Sequence, residues 1–365
     1  MKIGVITFHR AINYGAALQT YALQKALTNL GFDSEVIDYR CDYMEELYRL
    51  VGGFSTKSFK QNIRSMINFF PARRKMNSFR SMISDNTRLS PEVYTSKTIC
   101  KANDRYNVFI TGSDQVFNYA CSNFDVNYFL SFVDNESKIN SYAASFGVSE
   151  IPEQYHDEYR RLLKRFNQIS VREESGQRLV RELADRDSML HVDPVFLLDA
   201  DDWSRLAKDP DFDNYILIYR LNKSNVINDF ARELARKTGK KIVNIGQDFI
   251  DRLKNRDFEG KLDLTVQEFL GLFKNADYVV TNSFHGTAFS VLFERRMFVE
   301  TRQKDFKKND RADNLLRLTG LMDSVIDSVD DCDPNLALDF TQSRKVLKGE
   351  RERALTYLRG VCSDE

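Results

Sequence analysis

The stretch that decides the fold is residues 2–39, KIGVITFHRAINYGAALQTYALQKALTNLGFDSEVIDY. Residues 2–8 form a short apolar, β-branched run, which is typical of a buried parallel strand. Apolar residues then recur at helical spacing from Leu18 to Leu30, and Gly31 ends the predicted helix. Residues 34–39 read as the next strand. Strand, helix and strand with short links predict a right-handed βαβ unit.

The same alternation recurs along the rest of the chain. Further strands are predicted at residues 106–111, 138–146, 168–171, 215–221, 241–245, 278–281 and 297–300. Helices are predicted at residues 153–166, 176–184, 226–237, 266–275, beyond Gly286, and at 351–358. Residues 45–105 interrupt the pattern, and we interpret them as a basic helical insertion in which Pro71 ends a helix.

Length and composition predict two domains. The chain has 365 residues, which exceeds the size at which a single hydrophobic core usually stops growing. We place the boundary at the acidic loop of residues 199–202, giving an N-terminal domain at 1–198, which contains the insertion, and a C-terminal domain at 199–365. The terminal helix is expected to pack back on the first domain. The fold class is therefore α/β, with two doubly wound domains and ligands bound at strand carboxyl ends in the cleft between them.

Charge and cysteine usage exclude several classes of protein. Lys+Arg and Asp+Glu number 53 each, so no global positive field favours nucleic acid. Five scattered cysteines without a CxxC pair argue against a disulfide framework or a zinc site. The first residues do not resemble a signal peptide, and no window is apolar enough for a membrane-spanning helix. We expect a cytoplasmic protein without a bound metal or cofactor.

The segment TNSFHGT, residues 281–287, is the most informative motif. It follows a predicted strand and opens a predicted helix, so its backbone N–H groups and helix dipole can hold a phosphate or carboxylate. Ser283 and Thr287 can add hydroxyl donors, Gly286 allows close approach, and His285 can act as a cation or proton donor. The alternative is an ordinary helix cap followed by a histidine that packs.

Three other strand ends carry polar residues. Arg172, in SVREES, can direct its guanidinium to an anion, or can pair with a neighbouring glutamate. Asp114 and Gln115, in TGSDQ, can bind a sugar or supply a carboxylate for acid–base chemistry, or can form a turn and a cap. The first strand is followed by a turn that can contact a polar acceptor, or can serve only as a turn; its candidate residues are His9, Arg10, Asn13 and Tyr14. This turn has neither a GxGxxG nor a P-loop pattern.

Two basic stretches are less specific. The stretch of residues 57–88, from Lys57 to Arg88, can rest on an anionic membrane surface or form a solvated helix face. The cluster Lys304, Lys307, Lys308 and Arg311 follows a predicted strand and can reach an anion at residues 281–287.

In these segments the chain resembles the polysaccharide pyruvyl transferase family. The matching stretches run in order: residues 2–27 with GFDSEVIDYR, then FITGSDQVFN, SYAASFG, SVREESG, HVDPVFLL and TNSFHGTAFSVLF. The resemblance implies a fold like that of the type B glycosyltransferases, with two Rossmann-like domains. It also implies transfer of the enolpyruvyl-derived group of phosphoenolpyruvate, as a co-substrate, to a sugar of a cell-surface polysaccharide precursor (exopolysaccharide or capsule), forming a pyruvate ketal.

The resemblance carries three donor-binding residues onto this chain. They are His285 of the SFHGT motif, Arg172 of the SVRE motif and, in a stretch that matches less closely, Lys304. Ketal formation needs an acid for the methylene carbon and a base for the hydroxyl groups, and His285 and Asp114 are the candidates.

Two alternative functions remain open at this stage. A glycosyltransferase that uses a nucleotide sugar would place a diphosphate at the same helix start, although no clear ribose-binding acid follows TNSFHGT. A non-catalytic binding member of the family is the other alternative, and the presence of His285 and Arg172 counts against it. The acceptor can be free, nucleotide-linked or lipid-linked.

Overall fold

The structure is a computed structural model that describes residues 1–48, 59–246, 255–301 and 310–363, without the side chains of residues 59–71 and 310. The chain divides into two compact units. Unit 1 comprises Met1–Arg49, Phe79–Leu198 and Lys348–Glu365, and unit 2 comprises Leu50–Ser78 and Asp199–Leu347. One division falls between residues 198 and 199, where the acidic loop begins. Residues 50–78 group with unit 2, whereas the sequence analysis assigned them to the first domain.

Unit 1 is built on a five-stranded parallel sheet. Its strands are β1 (Lys2–Ile6), β2 (Asp33–Arg40), β3 (Leu89–Thr95), β4 (Val108–Thr111) and β5 (Ile139–Ser141). Their order is β3-β2-β1-β4-β5. A short parallel pair, β6 (Ser170–Val171) and β7 (Met189–Leu190), continues beside β5 through bridges from Asn140 to Gln168 and from Ala144 to Val171.

Unit 2 repeats the same topology. Its strands are β8 (Tyr215–Tyr219), β9 (Lys241–Ile245), β10 (Glu259–Lys261), β11 (Tyr278–Thr281) and β12 (Arg296–Val299). They are parallel in the order β10-β9-β8-β11-β12. Each unit therefore has the 3-2-1-4-5 order of a Rossmann-like sheet, which confirms the predicted α/β fold with two such domains.

Helices connect these strands. In chain order they are α1 (Tyr14–Asn29), α2 (Asp42–Leu47), α3 (Phe59–Asn86), α4 (His156–Lys164), α5 (Glu174–Ala184), α6 (Ala200–Leu206), α7 (Asn225–Thr238), α8 (Val266–Asn275), α9 (Phe284–Leu292), α10 (Asp310–Thr319) and α11 (Phe340–Cys362). Some of them start at a short polar cap; Ser224 and Thr265, for example, accept backbone N–H groups of α7 and α8. These caps fix where each helix begins relative to the preceding strand.

The terminal helix α11 contributes apolar residues to the core of unit 1. Ala354 and Leu358 are fully buried in one cluster with Ile3 and Val5 of β1. The Arg351 guanidinium donates to the carbonyl oxygens of Phe196 and Leu198, at 2.7 and 2.9 Å. The end of the chain is thus held in unit 1 by both apolar packing and hydrogen bonds.

The stretch of residues 45–105 differs in two respects from the predicted helical insertion. It contains β3, which is the edge strand of the first sheet. In addition, α3 continues through Pro71 to Asn86. A proline inside a helix costs about 3 kcal/mol, but the later part of α3 buries Phe79, Met82 and Ile83, and the burial of such side chains contributes about 2 kcal/mol each. Tertiary packing therefore outweighs the local preference.

Candidate functional site

The strand order puts a switch point in each sheet. In unit 1 the chain reverses direction across the sheet between β1 and β4, and in unit 2 it does so between β8 and β11. Ligands of doubly wound sheets bind outside the carboxyl ends of the strands at such points. The turn after β1, the TGSDQ segment after β4 and the TNSFHGT segment after β11 all follow the carboxyl ends of these strands.

In unit 2, α9 begins directly after β11. Ser283 caps the helix, since its Oγ accepts the N–H of Gly286 at 3.3 Å. The carbonyl oxygen of Ser283 accepts both the N–H and the hydroxyl of Thr287, at 2.9 and 3.0 Å. Ser283, Gly286 and Thr287 thus form the cap that the sequence analysis raised as the alternative, and their contact with a donor stays a prediction.

Gly286 allows α9 to lie close to the neighbouring strands. A Cβ atom at this position would be 2.3 Å from Thr281 Oγ1 and 3.1 Å from Tyr219 Cδ1. The Thr281 hydroxyl donates to the Tyr219 carbonyl and accepts the Ser283 N–H, so it is itself held in place. Glycine is therefore required for this approach of the helix to the ends of β8 and β11.

His285 lies in the first turn of α9. The residue is 7% exposed, and its ring centroid is 5.1 Å from that of Phe284. The guanidinium carbon of Arg311, in the first turn of α10, is 6.0 Å from the Phe284 ring centroid. The helix start thus has an imidazole within it, and a guanidinium lies near the ring of its first residue, Phe284. Lys304, the third family-derived residue, lies outside the described residues.

A polar network joins three strand ends beside α9. Asn282 Oδ1 accepts the N–H of Leu221, and its amide group donates to Glu300 Oε2 at 3.4 Å. Glu300 Oε1 accepts the hydroxyl of Ser224 at 2.9 Å. Arg220, which follows β8, is buried at the same edge of the sheet. Sequence reasoning missed Arg220 and Glu300 because the strands predicted at residues 215–221 and 297–300 included them, whereas β8 and β12 end one residue before each of them.

In unit 1, Asp114 follows the carboxyl end of β4 and Arg172 follows that of β6, and the structure brings these two segments together. Asp114 pairs with Ala144, and Ala144 pairs with Val171, so the three chain segments lie side by side. Asp114 is half-buried and has a φ of 72°, a left-handed conformation that aspartate and asparagine tolerate better than most residues. Its Oδ1 accepts the N–H of Gln115 at 2.9 Å.

Arg172 is buried and ion-paired. Its guanidinium Nη1 contacts Asp193 Oδ2 and lies 3.4 Å from Ser113 Oγ, while its Nε is 4.0 Å from Glu173 Oε2. Burial acts to lower the pKa of Arg172, but the charges of Asp193, Glu173 and Asp114 outweigh it and raise the pKa. The principal partner is thus Asp193, which lies in the HVDP segment and which sequence spacing did not indicate.

The turn after β1 contains an ionic cluster. The His9 ring nitrogens lie 3.2 Å from Asp38 Oδ1 and 3.2 Å from the Thr7 carbonyl oxygen. Arg10 lies between Asp38, at 3.2 Å, and Glu45. Burial acts to raise the pKa of Asp38, but His9 and Arg10 outweigh it and lower the pKa. Two of the predicted acceptor-binding residues are therefore connected to β2 and α2.

The other predicted acceptor-binding residues also have contacts within unit 1. Asn13 caps α1, because its Oδ1 accepts the N–H of Ala16 at 3.2 Å. Tyr14 is buried, with its ring centroid 4.9 Å from that of Phe79. Gln115 Oε1 accepts the side-chain amide of Asn118 at 2.8 Å. Their contact with an acceptor stays a prediction.

The described residues lack both a metal-binding cluster and a membrane-spanning helix. Within the described ranges there is no group of three or more His, Cys, Asp or Glu side chains placed to hold a metal ion. In the same part of the chain, none of the helices has the length and apolar character needed to cross a bilayer. Lys57 and the side chains of residues 59–71, in the basic stretch, lie outside what the structure describes.

Comparison with solved structures shows the fold. The chain is similar to UDP-GlcNAc 2-epimerase from Neisseria meningitidis, bound to UDP-GlcNAc, with 11% identity, a TM-score of 0.50, and coverage of 99% of each chain. It is also similar to a putative UDP-N-acetylglucosamine 2-epimerase from Listeria monocytogenes, with 10% identity, a TM-score of 0.54, and coverage of 98% of this chain and 91% of the other. The comparison with curated proteins found no significant match.

Comparison with family models gives a more specific result. The model of the polysaccharide pyruvyl transferase family matches residues 13–302, which is more than half of the chain and includes the segments that contain Asp114, Arg172 and His285. This agrees with the resemblance seen in the sequence motifs. The chain belongs to the polysaccharide pyruvyl transferase family.

Proposed function

We propose that this protein uses phosphoenolpyruvate to place a pyruvate ketal on a sugar of a cell-surface polysaccharide precursor. In the reaction, a proton adds to the methylene carbon of the donor, which becomes a methyl group. Two sugar hydroxyl oxygens form bonds to the former enol carbon, and the bond from that carbon to the phosphate oxygen breaks. One hydroxyl proton replaces the proton used at the methylene carbon, and the other leaves with inorganic phosphate.

The observation that carries the proposal is the start of α9. A helix of nine residues begins at the carboxyl end of β11, with His285 in its first turn and with Gly286 allowing close approach to β8. Phosphoenolpyruvate carries a phosphate and a carboxylate, and both favour the positive end of a helix and nearby cations. Arg311 and Arg220 add positive charge in this part of unit 2. Membership of the polysaccharide pyruvyl transferase family supports a pyruvyl group as the group transferred, and phosphoenolpyruvate is the donor that we propose for it.

The same residues suit the proton transfers. His285 can donate a proton to the methylene carbon, because a protonated imidazole is a general acid. Asp114 can accept a hydroxyl proton, since its carboxylate lies at the carboxyl end of β4 and is half-buried. Arg172 can direct its guanidinium at the donor carboxylate or phosphate, as the family pattern implies.

The proposal is tested by incubating the protein with phosphoenolpyruvate and a panel of free, nucleotide-linked and lipid-linked sugars. We expect stoichiometric phosphate release and a mass gain on one acceptor class. His285→Gln is expected to lower the rate about 10²-fold or more, the usual contribution of a general acid. The matched control is His156→Gln, because His156 lies at the start of α4, where its Nε2 contacts the Ile151 carbonyl oxygen. Equal rates for the two variants would contradict the role of His285.

Thermal unfolding in the presence of each ligand distinguishes phosphoenolpyruvate from a nucleotide sugar as the donor. We expect phosphoenolpyruvate to raise the melting temperature of the protein, and nucleoside diphosphates to have a smaller effect. Stabilisation by a nucleoside diphosphate alone, without phosphate release from phosphoenolpyruvate, would refute the proposal and favour a nucleotide-sugar donor.

A further inference from the structure

The buried charge of Arg172 needs a fixed partner. Its side chain is 2% exposed, and a guanidinium does not lose its proton in proteins. An unpaired charge in such a place is strongly destabilising, so an anion must lie beside it. Among the residues that the structure describes, Asp193, whose side chain is 0% exposed, contacts this guanidinium directly, and the Glu173 carboxylate is 4.0 Å away.

The Glu173 carboxylate accepts hydrogen bonds from another segment of unit 1. Its Oε1 accepts the Ser145 hydroxyl at 3.0 Å and the backbone N–H groups of Phe146 and Gly147 at 2.7 and 3.3 Å. These bonds hold the loop that follows β5. The orientation of the Arg172 guanidinium is therefore determined mainly by Asp193, which contacts it directly.

Asp193 is itself held from two sides. Its Oδ1 accepts the N–H of Val195 at 3.0 Å, which caps the short 3₁₀ helix Pro194–Leu197. Its Oδ2 accepts the Ser113 hydroxyl at 3.2 Å, and Ser113 directly precedes Asp114. Pro194 further restricts the backbone of Asp193 to an extended conformation, with φ −53° and ψ 144°. The carboxylate thus has little freedom, and it connects the segment after β4 with Arg172.

We propose that Asp193 is a positioning residue that acts through Arg172. It holds the guanidinium in one orientation at the edge of the sheet next to Asp114, so that the donor meets a cation already in place. This inference rests on the proposed function, because it assigns Arg172 to the donor. Replacing a carboxylate that orients a metal ligand typically changes affinity or activity by about 10- to 100-fold, and we expect an effect of similar size for one that orients a guanidinium.

The sign of the change in KM distinguishes positioning from simple charge. Asp193→Asn keeps an oxygen for the Val195 N–H but removes the negative charge beside Arg172. If charge alone mattered, the variant would bind the anionic donor more tightly, and KM for phosphoenolpyruvate would fall with kcat unchanged. Loss of orientation instead lowers kcat with KM equal or higher, because the misdirected group no longer stabilises the transition state.

The experiment is a double-mutant cycle on the full chain, with kcat and KM for phosphoenolpyruvate measured for wild type, Asp193→Asn, Arg172→Lys and the double variant. We expect Asp193→Asn to lower kcat about 10- to 100-fold in the wild-type background and to have almost no effect in the Arg172→Lys background. Equal effects in both backgrounds, or a lower KM with normal kcat, would overturn the inference.

A milder variant keeps the test valid if Asp193→Asn does not fold. Ser113→Ala removes the hydrogen bond to Asp193 and the 3.4 Å contact with Arg172 Nη1, and it leaves the ion pair intact. We expect a smaller loss of kcat that also disappears in the Arg172→Lys background. A loss that persists in that background would overturn the inference. Absence of any reaction in wild type would refute the proposed function, whereas wild-type activity without coupling between the two residues would refute only the role of Asp193.

Discussion

The substitution Gly286→Ala tests most directly how α9 is placed. The added Cβ would lie 2.3 Å from Thr281 Oγ1, whereas ordinary van der Waals contact begins at 3.4 Å. Either the helix must therefore move by about 1 Å, or Thr281 must rotate. Rotation would break two hydrogen bonds of the Thr281 hydroxyl, to the Tyr219 carbonyl and from the Ser283 N–H.

These structural changes determine how much Gly286→Ala should lower the free energy of unfolding. Two lost hydrogen bonds cost about 1 kcal/mol each, and overpacking a core position costs about 1–3 kcal/mol. Alanine in place of glycine in a helix returns about 1 kcal/mol. We therefore expect the free energy of unfolding to fall by about 1 kcal/mol if Thr281 rotates, and by about 0–2 kcal/mol if the helix moves. Activity should fall more steeply, because a displacement of about 1 Å at a site of chemistry can cost about 10²-fold in rate.

Urea unfolding followed by fluorescence is a suitable assay, because Trp203 is the single tryptophan and its ring centroid is 5.3 Å from that of Phe289 in α9. The matched control is Gly349→Ala in α11, where a Cβ meets no atom within 4 Å, and we expect stabilisation by about 0.5–1 kcal/mol. In a Thr281→Ala background, Gly286→Ala should cost much less. A Gly286→Ala variant as stable and active as wild type would refute this account of the glycine.

Three further predictions concern stability. Burial lowers the pKa of His191 to about 4, below the value of about 6.5 in the unfolded chain. As the pH falls, the unfolded chain therefore binds the proton first. The free energy of unfolding should decline by up to about 3 kcal/mol between about pH 6.5 and pH 4. A His191→Phe variant should show a flatter profile in urea unfolding across that range. Gly271→Ala would place a Cβ 1.8 Å from the backbone oxygen of Lys208, so we expect a loss of about 3 kcal/mol or more in thermal unfolding, and an unchanged melting temperature would contradict it. Arg351→Ala removes two hydrogen bonds to the segment of residues 196–198, so limited proteolysis should cleave α11 faster than in wild type, and equal cleavage rates would count against this contact.

Local patterns were sufficient to predict most of the sheet. The strands at residues 241–245 and 278–281 and the helix at residues 266–275 have the bounds that periodicity predicted. Each contains an apolar run bounded by a polar cap or turn, so the secondary structure that the local sequence favours is also the one that buries its apolar residues. β3 was missed because it is an edge strand that contains Pro91 and is exposed at three successive positions. A proline in a sequence argues against a central strand, since it cannot donate a backbone hydrogen bond to a neighbouring strand.

The candidate site could be predicted only in part, for a related reason. Asp114, Arg172 and His285 follow predicted strands, and topology alone places such residues at carboxyl ends. The partner of Arg172 could not be predicted, because Asp193 lies 21 positions away in sequence and reaches it through tertiary packing. The roles of Ser283 and Thr287 were also ambiguous, since the same hydroxyl groups suit a helix cap and a ligand.

In the proposed reaction, we expect the charged groups of unit 2 and Arg172 of unit 1 to have different roles. A helix dipole supplies about half a positive charge, and the N–H groups of Gly286 and Thr287 already have partners in the cap. The charge of Arg172 is compensated by Asp193. For the proposed donor, which carries both a phosphate and a carboxylate, we expect attraction to come mainly from cations of unit 2 such as Arg311. If Arg172 contacts the donor as proposed, its contribution is directional, and we expect replacement of Asp193 to change the reaction rate more than the donor affinity.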